Sequence, residues 1–221
     1  MKDIMAKIAY IVQGEFPPEE MEKRQKFLSS LVDKGNEIKL MPGELNIIAI
    51  QSRFESALSV PEFIKIAMKA EKEGYDAVII GCTGDHGLGA IREAVKIPVV
   101  GPGSTTSMLA SLVGQKYVYL GPEAAGMTTL EAREDRPKLI RGLVEAGRKA
   151  IERDRVDTIA LRCMSCGFQD VDEEMQEQLG VPVINNVKAA VKMAELMIDL
   201  NIPHSKKAYK TPTHSPAWPE F

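Results

Sequence analysis

Short apolar runs alternate along this chain with longer segments that carry apolar residues at helical spacing. The short runs are bounded by Gly, Pro or Asp, as is typical of buried strands. On this basis we predict seven strands, at Lys7–Val12, Glu37–Met41, Ala77–Gly81, Ile97–Gly101, Tyr117–Gly121, Thr158–Leu161 and Val181–Ile184. Strands that alternate with helices indicate an α/β fold with mostly parallel sheet and right-handed crossovers.

The segments between the strands predict helices. Pro17 and Pro18 begin one helix, and a second over 59–74 places Pro61 in its first turn. Three further helices are predicted, at Ser104–Val113, Glu131–Arg155 and Val187–Leu200. The tail from residue 201 onward lacks periodicity, so we expect an extended arm or a frayed end. Trp218 in this tail is either an oligomer contact or an ordinary packed side chain.

Two stretches of the chain are similar copies of one unit. They are Tyr75–Pro102 and Val156–Asn186. In each, an Asp opens an apolar run and a Cys follows six positions later, as Asp76 with Cys82 and as Asp157 with Cys163. A polar loop, a helix-like segment and a second apolar run complete the unit. Because α/β proteins place reacting groups at the carboxyl ends of strands, the repeat predicts two thiols that face one cleft.

Composition narrows the class of protein. The 221 residues, 44% hydrophobic and 27% charged, can bury a sizeable core as one large domain or two small lobes. A net charge of −3 without a long basic block argues against a nucleic-acid partner. The N-terminal segment is too interrupted by charge for a signal peptide, and no run approaches membrane-spanning length. Three cysteines favour reduced thiols, and we expect a cytoplasmic enzyme.

Four segments resemble one known family. They are IQSRFESALSVPEF, GCTGDHGLGAIREA, PVVGPGSTTSMLASLVG and HSKKAY, and the similarity spans Ile47–Tyr209. The chain here resembles the aspartate/glutamate racemase superfamily, and within it the hydantoin racemase-like branch. The resemblance implies two Rossmann-like lobes with parallel sheets related by pseudo-twofold symmetry, an active site in the cleft between them, no cofactor and a homo-oligomer. It further implies a Cys from each lobe as acid and base at a Cα carbon.

We therefore expect residues 1–101 and 187–221 to form lobe 1, which carries Cys82, and residues 102–186 to form lobe 2, which carries Cys163. The chain departs from the family at two points. In LRCMSCGF, Arg162 stands where Gly is usual, and Cys166 competes with Cys163 as the second base. The spacing from Asp157 favours Cys163. After the first strand, VQGEFPP replaces the usual Asn-Pro-Asn, and we expect Gln13 to take over the role of the amide.

The chemistry explains the choice of cysteine. Racemisation needs one group to remove the Cα proton and another to return a proton on the opposite face, and a thiol does either when its pKa lies near the working pH. We expect backbone N–H groups beyond each strand to lower the thiol pKa. No metal or pyridoxal is required. Candidate substrate-binding residues are Gln13, Thr83, Ser104, Thr105, Thr106, Met164 and Ser165. The prediction is a racemase or epimerase of an amino acid or hydantoin.

Several alternatives remain open. The same scaffold supports a decarboxylase or a maleate isomerase-like enzyme, and a non-catalytic small-molecule binding protein is a third interpretation. A zinc site at Cys163 and Cys166 is disfavoured, since only Cys82 and three scattered His remain as further ligands. His86 either tunes Cys82 or, as we favour, faces solvent. The segment GPGSTTS either contacts substrate or only starts a helix. Arg53 is interpreted as a surface charge, and Arg162 as a possible anion contact.

Overall fold

The computed structural model describes residues 5–213, which contain seven strands and nine α-helices. The strands are β1 (Lys7–Val12), β2 (Glu37–Pro42), β3 (Ala77–Ile80), β4 (Val99–Val100), β5 (Tyr117–Leu120), β6 (Thr158–Leu161) and β7 (Val183–Ile184). The helices are α1 (Pro18–Leu31), α2 (Arg53–Lys72), α3 (Leu88–Ala94), α4 (Pro102–Val113), α5 (Glu131–Glu134), α6 (Arg136–Asp154), α7 (Met164–Phe168), α8 (Asp172–Leu179) and α9 (Asn186–Asp199). Trp218 lies outside the described residues.

Two parallel sheets form the framework of the described chain. The first has the order β2-β1-β3-β4, and the second has the order β5-β6-β7. Every strand pair is parallel, as the alternation of strands and helices predicts. The central strands β3 and β6 are buried along their whole length, which explains their unbroken apolar runs. The α/β class with parallel sheets is thus confirmed.

The repeated aspartates anchor equivalent strand pairs in the two sheets. The Asp76 carboxylate, just before β3, accepts the N–H of Lys7 at 2.8 Å, at the start of β1. The Asp157 carboxylate, just before β6, accepts the N–H of Gln115 at 2.9 Å and that of Lys116, just before β5. Each Asp therefore joins its own strand to the neighbouring strand at the amino end.

Helix α2 begins earlier than the sequence pattern predicts. Ser52 caps it by accepting the N–H of Glu55 at 3.1 Å, and the Glu55 carboxylate accepts the N–H of Gln51 at 2.8 Å. The Ser52 hydroxyl also donates to the Glu55 carboxylate at 2.9 Å, and this variant of the capping box starts the helix at Arg53. Pro61 consequently lies inside the helix, and the prediction that it lies near the first turn was wrong.

The single helix predicted over Glu131–Arg155 is divided in the structure. Helix α5 ends at Glu134 and α6 begins at Arg136, with Asp135 between them. Pro137 has no N–H to donate and its ring clashes with the carbonyl four residues earlier, so one continuous helix is strained here. Asp135 instead accepts the N–H of Lys138 at 2.9 Å and caps α6.

The C-terminal elements return to the first sheet. Val187, Val191 and Ala194 of α9 pack in one buried cluster with β1 and β3. Beyond α9, Lys206 donates to the carbonyl of Val95 at 2.6 Å at the end of α3, and Nε2 of His204 accepts the N–H of Val99 at 2.8 Å. The described part of the tail is therefore a packed arm on the α3–β4 edge.

Candidate active site

A cavity of about 780 Å³ opens at the carboxyl ends of both sheets. The segments that follow β1, β3, β5 and β6 contribute to its wall, together with the loop before α2. Its lining includes thiols, arginines, hydroxyls, amides, one imidazole and one carboxylate, together with apolar side chains. Among the lining residues are Gln13, Phe16, Arg24, Ser52, Arg53, Ser56, Cys82, Thr83, His86, Glu123, Arg133, Arg162, Cys163, Met164 and Ser165.

Cys82 lies in a tight turn between β3 and α3. The preceding residue, Gly81, donates its N–H to the carbonyl of Ile11 at 2.7 Å and so prolongs the sheet. A Cβ at position 81 would lie 2.6 Å from that same carbonyl oxygen and 2.6 Å from a methyl group of Val12. Glycine is therefore required here by close packing against β1, and the thiol that follows is half-buried at the cavity wall.

Cys163 occupies the corresponding place after β6, and it directly precedes α7. The preceding residue, Arg162, donates its N–H to the carbonyl of Leu120 at 2.9 Å, as Gly81 does in the first sheet. The Arg162 side chain is exposed, so lobe 2 tolerates a large residue where lobe 1 requires glycine. Cys166 is fully buried in the core of the second sheet and is absent from the cavity lining described above.

One hydrogen bond connects the two cysteine loops. The Thr83 hydroxyl donates to the backbone carbonyl of Arg162, so the residue after Cys82 is joined to the residue before Cys163. The two half-buried thiols consequently lie in adjacent segments of the same cavity wall. The two thiols are close enough to interact electrostatically, because a negative charge on Cys163 raises the pKa of Cys82.

Burial dominates the protonation of Cys82. It raises the pKa of this thiol to about 11, while a hydrogen bond from the Gly84 N–H lowers it and the charges of Cys163 and Asp85 raise it. The Gly84 N–H thus lowers the pKa of Cys82 as expected, but burial outweighs it and the net shift is upward. Burial likewise raises the pKa of Cys166. Cys82 is a thiol at neutral pH.

Two predicted binding residues take part in hydrogen bonds that shape the cavity. Gln13 is 4% exposed, and its amide nitrogen donates to the carbonyl of Ile47 at 2.7 Å, which holds the loop before α2 over the site. Ser165 is 3% exposed, and its hydroxyl accepts from Nε of Arg133 at 3.2 Å. Met164 and Thr83 complete the predicted binding residues that the structure brings to the cavity.

The other three predicted binding residues lie in α4, away from the described lining. The hydroxyl of Ser104 donates to the carbonyl of Gly101 at 3.0 Å, and that of Thr106 donates to the carbonyl of Pro102 at 2.6 Å. Thr105 is buried within the same helix. The Asp85 carboxylate accepts the N–H groups of Gly103 and Ser104. The GPGSTTS segment is thus the start of a helix, and the loop that follows Cys82 caps it. Of the two interpretations of this segment, helix start and substrate contact, its hydrogen bonds agree with the helix start.

His86 lines the cavity, contrary to its interpretation as a solvent-facing turn residue. Its Nδ1 lies 2.7 Å from the hydroxyl of Ser56 in α2. Burial lowers the pKa of this imidazole, while the Asp85 carboxylate raises it. Position alone could not reveal this, since Ser56 reaches His86 only because α2 begins earlier than its pattern predicts.

Sequence reasoning missed two cavity arginines and the phenylalanine that both of them contact. The guanidinium carbon of Arg24 lies 4.1 Å from the centre of the Phe16 ring, and that of Arg133 lies 5.0 Å from it. A signal for Arg24 existed, because it lies four residues before the buried Leu28 on the apolar face of α1. Arg133 carries no comparable signal. Arg53, interpreted as a surface charge, is exposed but lines the cavity.

The described residues hold neither a cluster of metal ligands nor a membrane-spanning helix. Within residues 5–213, no group of three or more His, Cys, Asp or Glu side chains is arranged to hold a metal ion. In that same range, none of the helices combines the length and the apolar character needed to cross a membrane. All three cysteines are free thiols.

Comparisons with known proteins agree with this architecture. The solved structure of allantoin racemase from Pseudomonas fluorescens superposes with a TM-score of 0.84 over 96% of this chain and 99% of that one, at 24% identity. At this identity the agreement establishes the fold, including its two lobes. A sequence model described as Asp/Glu/Hydantoin racemase matches residues 48–125.

Two curated relatives extend the match to most of the chain. Hydantoin racemase from Pseudomonas sp. (strain NS671) is 33% identical over 189 residues, which are 74% of this chain and 75% of that protein. Hydantoin racemase from Paenarthrobacter aurescens is 30% identical over 190 residues, 74% of this chain and 80% of that protein. The fold and these matches define an isomerase of the racemase class. The chain belongs to the Asp/Glu/hydantoin racemase family.

Proposed function

We propose that this racemase inverts a Cα centre in a hydantoin or amino-acid derivative by two-base proton transfer between Cys82 and Cys163. The observation that carries the proposal is the pair of thiols at one cavity, each after a central strand, in loops joined by the Thr83–Arg162 hydrogen bond. The named relatives act on hydantoins, which supports a cyclic diamide as the first substrate to test.

The proton transfers balance without a cofactor. The thiolate of one cysteine takes the Cα proton, and the electron pair moves into the neighbouring carbonyl to give an enolate-like intermediate. The thiol of the other cysteine then donates its proton to the opposite face of the carbon. Because the new proton arrives on the opposite face, the product is the opposite enantiomer. The two cysteines have then exchanged protonation states, and the reverse reaction begins from this exchanged state.

The environment of Cys82 assigns its role in the resting enzyme. Because burial raises the pKa of Cys82 to about 11, this residue holds a proton at neutral pH and begins as the acid. In this scheme Cys163 takes the Cα proton in the first direction. The opposite direction requires a Cys82 thiolate, which the N–H of Gly84 stabilises by donating to the sulfur.

Two cavity residues are suited to bind the polar edge of the substrate. Ser165 accepts from Arg133, so its own hydroxyl proton can be donated to a carbonyl oxygen of the substrate. Gln13 donates its amide N–H to Ile47, which leaves the amide oxygen as an acceptor for a substrate N–H. Both side chains are almost fully buried, which fixes their positions before binding. Met164 and Thr83 contribute the adjoining wall.

The cellular setting follows the same proposal. The substrate is a small molecule, and the three free thiols suit the reducing cytoplasm. The family resemblance supports a homo-oligomer.

Deuterium exchange tests the mechanism directly. Each enantiomer of a 5-substituted hydantoin, and of a panel of amino acids, is incubated in deuterium oxide with the wild type, Cys82→Ser, Cys163→Ser and Cys166→Ser. We expect wild type to exchange both enantiomers. Each single variant of the proposed pair should lose racemisation, while the enantiomer that faces its remaining thiol still exchanges its proton without inversion. The Cys166→Ser variant is the matched control and should exchange both.

The outcomes separate the alternatives. Opposite enantiomers exchanging in Cys82→Ser and Cys163→Ser would establish one thiol on each face. Loss in Cys166→Ser with Cys163→Ser active would assign the second base to Cys166. Absence of exchange with every compound would contradict the racemase mechanism and favour a decarboxylase, an alkene isomerase or a binding protein on this scaffold.

A further inference from the structure

One wall of the cavity holds an arginine whose hydrogen-bonding capacity is incompletely used. Arg24 lines the cavity although it is only 3% exposed. Its Nε donates to the Glu20 carboxylate at 2.6 Å, whereas its buried Nη2 has no hydrogen-bond partner among the described residues. A buried guanidinium donor without a partner is costly, so this atom indicates a missing acceptor.

Arg133 also lies against the Phe16 ring, and its two hydrogen bonds within the described residues go to neutral acceptors. Its Nε donates to the hydroxyl of Ser165 at 3.2 Å, and its Nη2 donates to the carbonyl of Ile48 at 2.7 Å. Burial, and next the positive charge of Arg24, lower the pKa of Arg133 to about 10, so the Arg133 guanidinium is still charged at neutral pH. Within residues 5–213, Glu20 forms an ion pair with Arg24 at 2.6 Å, whereas Arg133 forms none and only the more distant charges of Glu20 and Cys163 raise its pKa.

The side chains that line the cavity together carry an excess of positive charge. Four arginines line it, namely Arg24, Arg53, Arg133 and Arg162, against the single acidic side chain of Glu123 in the described lining. The chain as a whole carries a net charge of −3. A positive cleft in an acidic protein focuses its field on anionic ligands.

We propose that the substrate carries an acidic group on the side chain of the reacting carbon, and that Arg24 and Arg133 bind this group beside Phe16. The proposal rests on the proposed function, because Ser165 joins Arg133 to the segment that begins with Cys163. Stacking of Arg24 on the rings of Phe16, at 4.1 Å, and Phe168, at 4.6 Å, holds its planar group in place. A carboxylate supplies the acceptor that Nη2 lacks and the charge that the arginine pair lacks.

Two matched ligands test the subsite by binding rather than turnover. They are a hydantoin with a carboxymethyl group at C5 and its carbamoylmethyl counterpart, which have the same shape and differ in charge. Calorimetry with the full chain should show that wild type binds the acid at least about tenfold more tightly than the amide, as expected for a charge-assisted hydrogen bond. Raising the salt concentration should weaken binding of the acid selectively.

Variants assign the preference to the arginines. Arg24→Gln should lose the preference for the acid while its affinity for the amide changes less than about threefold, and Arg24→Lys should restore part of the preference through charge. Arg133→Gln provides a second route if Arg24→Gln fails to fold, and Arg141→Gln, an exposed arginine of α6, is the surface control. Equal binding of the two ligands by wild type would overturn the subsite. An equal loss for both ligands in Arg24→Gln would overturn it too.

Deuterium exchange with the same two hydantoins separates the two proposals. A preference in binding without exchange of either compound would uphold the anion subsite and contradict the racemase mechanism. Exchange of both compounds without any preference in binding would uphold the racemase mechanism and contradict the subsite.

Discussion

The two cysteine loops begin alike and then diverge. In each unit an Asp joins the central strand to its neighbour, through Asp76 to Lys7 and through Asp157 to Lys116. In each, the residue before the cysteine donates its N–H across the sheet. The framework that brings a thiol to the end of a buried strand is therefore the same in both lobes.

The surroundings of the thiols differ. Cys82 lies in a turn whose Asp85 has a positive φ of 47° and caps α4, whereas Cys163 is followed at once by the short helix α7. Burial raises the pKa of Cys82 to about 11. The comparison teaches that similar strand ends can place thiols in different surroundings, because the loop beyond the strand sets the environment.

The largest expected effect is the loss of either thiol. Cys82→Ser and Cys163→Ser should each lower kcat/KM for racemisation by about 10²- to 10⁴-fold, because each removes one proton-transfer group. The double variant should be little worse than the poorer single variant, since the two groups act as a unit. Polarimetry measures all three rates. A single variant that retains more than about a tenth of wild-type kcat/KM would exclude its residue from the proposed pair.

A second prediction sharpens the difference between the thiols. In a Cys163→Ser variant, the alkylation rate of Cys82 should rise about tenfold per pH unit from pH 7 to 10 without a plateau, because only the thiolate reacts and burial keeps its pKa raised. Peptide mass spectrometry follows the modified residue. The same protein unfolded in urea is the control. Its alkylation rate should level off above about pH 8.5, the ordinary pKa of a cysteine thiol. A plateau near pH 9 in the folded protein would contradict the burial argument.

The residues before the cysteines supply a third test. Gly81→Ala should lower the free energy of unfolding by about 1–3 kcal/mol, because its Cβ meets the backbone of β1. Arg162→Ala, at the matching position, should change it by less than about 0.5 kcal/mol, since its exposed ion pair with Glu123 is 3.8 Å long. Urea unfolding measures both. Equal destabilisation would mean that the two strand ends are packed alike.

Removing the hydrogen bond between the two cysteine loops is expected to have a smaller effect on racemisation. Thr83→Val removes the hydroxyl that donates to the Arg162 carbonyl, and it should lower kcat/KM about two- to tenfold as the two thiols lose their fixed spacing. Thr83→Ser keeps the hydroxyl and serves as the control. The positional argument fails if Thr83→Ser is as slow as Thr83→Val.

The smallest expected effect concerns Cys166. Cys166→Ala removes a sulfur from the core of lobe 2 and should lower the free energy of unfolding by about 1 kcal/mol. Its kcat/KM should stay within about twofold of wild type, because the buried side chain does not reach the described cavity lining. Thermal unfolding and polarimetry measure the two effects. A loss of about a hundredfold in kcat/KM would transfer the second base to this residue.

The local pattern was sufficient for much of the fold. All seven predicted strands are present, although β4 and β7 are only two residues long, and their parallel pairing follows from the alternation with helices. Helix boundaries failed where capping was decisive, as at Ser52 and Asp135. These side chains change the start of a helix through one or two hydrogen bonds, to which apolar periodicity is insensitive.

By itself, the sequence determined the repeated unit of an Asp, a buried strand and a Cys. It therefore also determined that reactive side chains stand at the ends of strands. Their catalytic roles stay predictions. Only the tertiary structure decided which side chains share the cavity. In the structure the Thr106 hydroxyl donates to a carbonyl of its own helix, α4. Arg24, Phe16 and Arg133 come together from separate elements. The physical reason is that strand periodicity is local, whereas burial, thiol pKa and charge balance depend on neighbours supplied by distant segments of the chain.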